Sequence, residues 1–308
     1  MTTGNSYATP AASPLTLGER ILSAGIRALP LKHGKHRLLD RICARSWVKR
    51  EGNVAIKVGG KEIVVATDDL VGWHFAVLRN FDPEVSEVLA RAADPETSEV
   101  FWDIGANKGS CFSDLATRLP RLKVVAIEPF SRHAENNLRN LESLCPGRYE
   151  YVQRGVGLEE TQTTLVIPQA NMGRASLHLQ AEPGDFQETI SITTASAIAE
   201  KSPFGWPTLA KIDVEGHEPQ VFASLAPCFE QQICKVVVFE NHARESDSFR
   251  MIKDLIEPFG YQTFAIQKSI WSTQLVPARE QVPSSTDYAI IRSDLVEQSK
   301  ALRGMFRR

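Results

Sequence analysis

Four ionisable side chains fall within six consecutive residues of the segment Lys211-Ile212-Asp213-Val214-Glu215-Gly216-His217-Glu218. They are Asp213, Glu215, His217 and Glu218. That is more than a turn requires. Imidazole titrates near neutral pH, so a histidine beside carboxylates suits the removal of a proton from a weak nucleophile such as a hydroxyl. The spacing points to His217 as base, oriented by Glu215 or Asp213. His242, in Phe239-Glu240-Asn241-His242, is its rival. Two other readings of the same residues stand beside this one. Asp213 and Glu215 could cap the following helix and bind a ligand amino group or nearby backbone amides. Alternatively Asp213, Glu215 and His217 could hold magnesium or manganese, which favour oxygen-rich ligands. Neighbouring side chains seldom all point inward, so no metal is assigned.

A second chemical signal lies upstream, in Asp103-Ile104-Gly105-Ala106-Asn107-Lys108-Gly109. Position 107 is Asn and position 110 is Ser, so the dinucleotide fingerprint G-x-G-x-x-G is absent. Lys108 precedes its glycine, so this is not a phosphate-cradling P-loop either. What remains is D-x-G-x-x-x-G with an acid at a strand end. Asp103 there suits a ligand carrying a positive amino group; a helix-capping glycine turn is the alternative. Glu128-Pro129 follows Gly105 by 23 residues. An acid at the end of the next strand, at about that distance, can accept hydrogen bonds from both ribose hydroxyls. Loop and acid together select a nucleoside bearing a cationic group, and S-adenosylmethionine fits.

These residues need strands and helices to hold them. From residue 99, short apolar runs alternate with helical patterns. The runs are 100–104, 123–128, 149–153, 209–213, 235–240, 261–266 and 287–292. Helices are expected at 109–119, 131–144, 219–226 and 247–258. Continuous apolar strands are covered on both faces, as in a parallel sheet between helices. The alternation predicts a doubly wound α/β fold, whose ligands bind beyond the carboxyl ends of the strands. Residues 163–168 and 189–194 read as extra extended segments around a Gly-rich loop. Arg174 in that loop is a candidate contact for an anionic acceptor.

Upstream, residues 1–14 read as a loose tail and 15–98 as a helical and hairpin extension or lid; 99–308 is the main domain. Leu17, Ile21, Leu22, Ile26 and Leu29 recur at helical spacing. Asn53–Ala66 reads as a hairpin turning at Gly59-Gly60, and Asp82-Pro83 opens a helix. Trp73, His74 and Phe75 could cover the ligand or fill the core. Trp206 could shape an acceptor pocket or simply pack.

Composition sets the outer limits. The 308 residues are 43% hydrophobic and 23% charged, the balance of a globular chain. Net charge is −2, so the whole molecule is not an electrostatic partner for nucleic acid. The charge is unevenly spread: residues 15–50 hold nine Lys/Arg and two acids, which suits an anionic membrane or glycan as well as a solvated face. No apolar run approaches the ~20 residues of a membrane span. The start of the chain lacks the pattern of a secretory signal. Five cysteines, with no CxxC pair, point to reduced thiols and a cytoplasmic setting.

Taken together, Asp103–Gly109, Glu128-Pro129 with Asn137 after it, Gly155-Val156-Gly157, Ala175-Ser176-Leu177 and Lys211–Glu218 resemble the FkbM family of class I methyltransferases. Phe239-Glu240-Asn241 and Phe259-Gly260-Tyr261 also fit. The resemblance covers about residues 65–293. It implies a Rossmann-like sheet of seven strands, mostly parallel with the last antiparallel. It implies S-adenosyl-L-methionine as methyl donor and, commonly, a hydroxyl of a sugar or polyketide as acceptor. Asp103, Gly105, Ala106, Asn107, Gly109, Glu128, Pro129 and Asp213 are expected to hold the cofactor, and Asp213, Glu215 and His217 to flank the reacting centre, with His242 the rival base. The chain departs from the family's Thr-Leu-Asp-like step, reading Thr194-Ala195-Ser196 instead. A nicotinamide oxidoreductase or a non-catalytic binding protein on the same fold are the alternatives.

Overall fold

The computed structural model describes residues 11–43, 52–94, 96–169, 175–242 and 246–307. The elements before the main sheet are β1 (Ser13–Pro14), α1 (Leu17–Ala28), α2 (Lys35–Cys43), β2 (Asn53–Val58), β3 (Lys61–Ala66), α3 (Leu70–Leu78) and α4 (Pro83–Ala92). There follow β4 (Val100–Ile104), α5 (Ser110–Arg118), β5 (Lys123–Ile127), α6 (Ala134–Leu144), β6 (Tyr149–Val152), β7 (Gly155–Gly157), β8 (Thr161–Ile167), β9 (Phe186–Thr194) and α7 (Ala195–Lys201). The remainder is β10 (Leu209–Ile212), α8 (Glu218–Ser224), α9 (Ala226–Glu230), β11 (Val236–Glu240), α10 (Ser246–Ile256), β12 (Tyr261–Lys268), β13 (Thr273–Pro277), β14 (Asp287–Arg292), α11 (Ser293–Gln298) and α12 (Lys300–Arg303).

The main sheet runs β13-β12-β14-β11-β10-β4-β5-β6. Strands β6, β5, β4, β10 and β11 pair in parallel, and β14 is antiparallel to both β11 and β12. All seven expected strands are present, and the antiparallel one is the last in sequence. An eighth, β13, hairpins back from β12 at the edge. Residues of the central strands alternate between two cores, which is why their sequences are apolar throughout. Phe101, Val124, Leu209 and Val238 face α4, α5, α6 and the β2–β3 hairpin. Trp102, Val125, Ala210 and Phe239 face α7, α8 and α10.

The order reverses at β4, which lies between β5 and β10. Ile104 pairs level with both Ile127 and Ile212, so the loops after β4, β5 and β10 rise from one edge. In open α/β sheets a ligand binds where the strand order reverses, beyond the carboxyl ends. A separate three-stranded sheet, β7-β9-β8, overhangs this edge. Its inner side groups Leu165, Ile167, Ile190 and Ile192 with Phe130.

The hairpin and α4 of the extension share the main core, while α1, α2 and α3 pack on one another through Ile26, Leu39, Trp73 and Val77. Val54, Ile56, Val58, Ile63 and Val65 pack with Phe101 and Phe112. Asn140 on α6 donates to the Val64 carbonyl and accepts from its N–H, at 2.8 and 2.7 Å. That replaces the strand partner an edge would otherwise lack. Trp73 and Phe75 are fully buried, and His74 pairs with Asp40 at 2.7 Å, so these three are core. In α1 the inward stripe is Glu19, Ser23 and Ile26. Leu17 and Ile21, expected to face inward, point to solvent. The capping box between Thr16 and Glu19 explains the rotation, because it turns Glu19 inward to reach the Thr16 N–H at 2.7 Å.

Candidate active site

The three loops and the small sheet line one open cleft. Its polar floor includes Gly105, Asn107, Glu128, Asp213, Glu215 and His217. Phe130, Val156, Leu165, Ile190 and Ile192 make an apolar wall.

The floor depends on one close approach. A Cβ at Gly105 would lie 1.8 Å from the Asp213 carbonyl oxygen, so only glycine lets the β4 and β10 loops touch. Its φ of 79° is also in the region glycine favours. Gly109, at φ 76°, caps α5 where a Cβ would strike the Phe112 ring. Lys211 fastens the same two loops from behind. Its Nζ lies 3.0 Å from Asp213 Oδ2, 4.0 Å from Asp103 Oδ1 and 3.4 Å from the Gly105 carbonyl. Burial works against the Lys211 charge, but the Asp213 and Asp103 carboxylates hold its pKa well above the usual lysine range.

Glu128 is the acid at the end of β5. Its Oε2 accepts the Asn107 N–H at 2.8 Å and its Oε1 the Phe130 N–H at 2.9 Å. Both oxygens keep lone pairs for further donors. Burial pushes the carboxyl up to about 7, against the pull of those two N–H groups. Asn107 adopts φ 48°, held by Asn137 Nδ2 on its carbonyl at 2.8 Å. Its buried Oδ1 has no partner among the described residues. Pro129 lines the cleft beside Glu128.

Asp103 is placed differently from the sequence expectation. It is fully buried, accepts the Phe112 N–H at 3.1 Å, and is not among the cleft-lining residues. Burial raises its carboxyl to about 6, with Lys211 opposing. Its contacts are with α5 and Lys211. Ala106 and Gly109 likewise shape the loop from behind. The acid that faces the cleft is Asp213, 28% exposed.

In the β10 loop, Glu218 turns back and accepts the Val214 and Gly216 N–H groups at 3.1 and 3.0 Å. Glu215 and His217 instead face the cleft, with Glu215 at φ 51°. Ser176 Oγ donates to the Glu215 carbonyl at 2.7 Å, tying the small sheet to this loop. Residues 170–174, including Arg174, lie outside the described residues. Burial, and then the neighbouring His178, holds the His217 pKa below the usual histidine range. Its buried Nδ1 has no partner among the described residues. His242 is not a cleft residue. It is 47% exposed, with Nε2 3.6 Å from Glu240 Oε1.

Sequence reasoning missed Glu240. Oxygens of Asp213, Glu215 and Glu240 lie within 4.8 Å of one another, the set that could hold a cation among the described residues. Burial, and then the Asp213 carboxylate, pushes Glu240 up to about 10. The available signal was an acid ending the strand beside β10, the same signal that singled out Glu128. Trp206 packs on Trp102 with ring centroids 6.0 Å apart. Thr194, at the departing step, caps α7 by accepting the Ala197 N–H at 3.1 Å.

Several known proteins resemble this chain. It is 27% identical over 175 residues to the hexuronic acid methyltransferase AglP of Haloferax volcanii, covering 56% of this chain and 66% of that protein. It thus spans just under two thirds of that relative's length. Among solved structures, the precorrin-6y C5,15-methyltransferase of Geobacter metallireducens overlaps 68% of this chain and 89% of its own, at 14% identity and a TM-score of 0.37. The fibrillarin pre-rRNA processing protein of Methanococcus jannaschii overlaps 78% and 82%, at 12% identity and a TM-score of 0.39. The family described as the methyltransferase FkbM domain matches residues 103–263, from the acid of the glycine loop into β12. That match takes in more than half of the 308 residues, and the chain belongs to the FkbM methyltransferase family.

Proposed function

We propose that this protein transfers a methyl group from S-adenosyl-L-methionine to a hydroxyl of a saccharide or glycoconjugate. The observation that carries the cofactor is Glu128, a buried carboxylate fixed by two backbone N–H groups beside an apolar wall. Its remaining lone pairs suit two ribose hydroxyls, and the wall of Phe130, Val156 and Ile192 suits a purine. The unpartnered Asn107 Oδ1 offers a further acceptor. Asp213, at the other end of the floor, suits an ammonium group. The missing G-x-G-x-x-G pattern argues against a nicotinamide.

When bound, the donor supplies an electrophilic methyl group and leaves as a neutral thioether. The protein's part is to align the acceptor oxygen and take up its proton. His217 suits the second of these roles, because its lowered pKa keeps it neutral near pH 7 and Nδ1 is uncommitted. As the new oxygen–carbon bond forms, the hydroxyl proton passes to the imidazole. Glu215 and Asp213 border the same floor. The saccharide class rests on the family resemblance and on the hexuronic acid activity of the archaeal relative.

The test begins with calorimetric titration of S-adenosylmethionine and, separately, of a nicotinamide dinucleotide. Labelled donor is then incubated with neutral sugars and sugar acids, and products are identified by mass. Binding of the first cofactor and a sugar one methyl group heavier are expected. Binding of the nicotinamide alone would overturn the proposal.

A further inference from the structure

We infer that α1 and the β12–β13 turn form a docking face for an anionic lipid bilayer. The apolar residues of α1 are split between two faces. Its inward stripe mixes Glu19 and Ser23 with Ile26, whereas Leu17 and Ile21 are 72% and 64% exposed. Four-residue spacing puts Leu17 and Ile21 on one solvent-facing stripe. The β12–β13 turn is equally unusual. Turn tips normally carry small polar residues, yet this one carries Ile270 and Trp271, 54% and 67% exposed. Ser269 closes the turn by donating its N–H to the Ser272 carbonyl at 2.9 Å, which pushes the two apolar side chains outward.

The two features belong to one surface. The Ile270 carbonyl accepts the Lys32 N–H at 2.8 Å and the His33 N–H at 3.3 Å, just past the end of α1. Arg20, Arg27, Lys32, Arg37 and Arg41 are exposed on this segment. The acids close by are already engaged: Glu19 in the capping box, Glu87 with Lys32 at 2.6 Å and Asp40 with His74 at 2.7 Å. Exposed aliphatic and indole groups among Arg and Lys match the boundary of an anionic bilayer, where acyl chains meet phosphate. The turn follows the carboxyl end of β12, which runs parallel to β11, β10 and β4. Docking would therefore bring the sheet edge that carries the cleft to the headgroup layer.

The test is flotation of the full chain with phosphatidylcholine vesicles and with vesicles also containing phosphatidylglycerol. Binding to the anionic vesicles alone is expected, with a blue shift of Trp emission and release by high salt. I21D combined with W271S should lower the bound fraction about tenfold while circular dichroism and cofactor affinity are unchanged. Three results would overturn the inference. One is no binding to anionic vesicles. Another is binding that I21D/W271S leaves intact, which a soluble polyanion abolishes equally. The third is a dimer in solution that I21D dissociates, which would assign the face to a second copy.

Discussion

The pH dependence of cofactor binding tests the central feature of the site, and its size follows from the geometry of Glu128. The carboxyl sits near 7 because burial outweighs the Asn107 and Phe130 N–H groups. Ribose hydroxyls would add two donors to the same oxygens and favour the ionised form. Affinity should then track the ionised fraction of the free protein. With a free value of about 7 and a much lower value in the complex, Kd rises about eightfold from about pH 7.5 to about pH 6, or about 1.2 kcal/mol. Binding at pH 7 should release about half a proton, measurable by calorimetry in buffers of different ionisation enthalpy. The sign for stability runs the other way. The raised pKa means that Glu128 favours folding of the free protein most below its unfolded value, and this is lost as pH rises toward 7. Stabilisation by bound cofactor should therefore grow across the same interval. In E128Q an amide must turn its NH2 toward one of the two backbone N–H groups, so one loop contact is lost as well as the charge. Losing two charge-assisted hydrogen bonds, at about 1.5 kcal/mol or more each, weakens binding about 100-fold or more and flattens the pH profile. A wild-type Kd independent of pH, or an E128Q profile as steep as the wild type, would refute this account.

Three further outcomes are expected. H217A should lower turnover about 100-fold or more with cofactor Kd unchanged, read by single-turnover kinetics; because the His217 pKa is depressed, wild-type turnover should persist below the usual histidine range. K108M removes the buried ammonium that Asp69 and Asp68 share, the latter at 3.2 Å, and should destabilise the fold by about 3–5 kcal/mol on chemical denaturation. Glu240, raised to about 10, favours folding below its unfolded value and loses that contribution as pH climbs, so E240Q should show a shallower fall in Tm between about pH 6 and about pH 9.

What the sequence made legible was what local rules control. Apolar runs bounded by glycine and proline marked the seven core strands, because a strand covered on both faces has to be apolar along its length. The acids at the ends of β5 and β10 were legible because the fold puts strand ends at the ligand edge. The direction of a side chain at such an end was not. Asp103 and Glu128 read alike in sequence, yet Asp103 lies behind the loop and Glu128 faces the cleft. The difference comes from Lys211, 108 residues beyond Asp103, whose Nζ lies behind the loop. The Lys108 pairing with Asp68 and Asp69 was equally hidden, since it depends on how α3 approaches the glycine loop. The solvent-facing stripe of α1 escaped a periodicity reading because a hydrophobic pattern does not say which of two stripes turns inward.

These distant contacts explain why the glycine loop is stable enough to serve as a floor. Asn107 and Glu215 both hold positive φ without being glycine, a conformation that costs energy for residues with a Cβ. Each is held on two sides. Asn107 is fixed by Glu128 on its N–H and Asn137 on its carbonyl. Glu215 is fixed by Ser176 on its carbonyl, while Glu218 holds the Val214 and Gly216 N–H groups beside it. Behind them Lys211 bridges Asp103 and Asp213, and Lys108 joins the loop to α3. Two of the four non-glycine positive-φ residues among the described residues, Asn107 and Glu215, thus line the cleft, and each has compensating bonds from a neighbouring element. A floor built this way would meet a ligand already arranged, so that binding energy would not be consumed in ordering the loops.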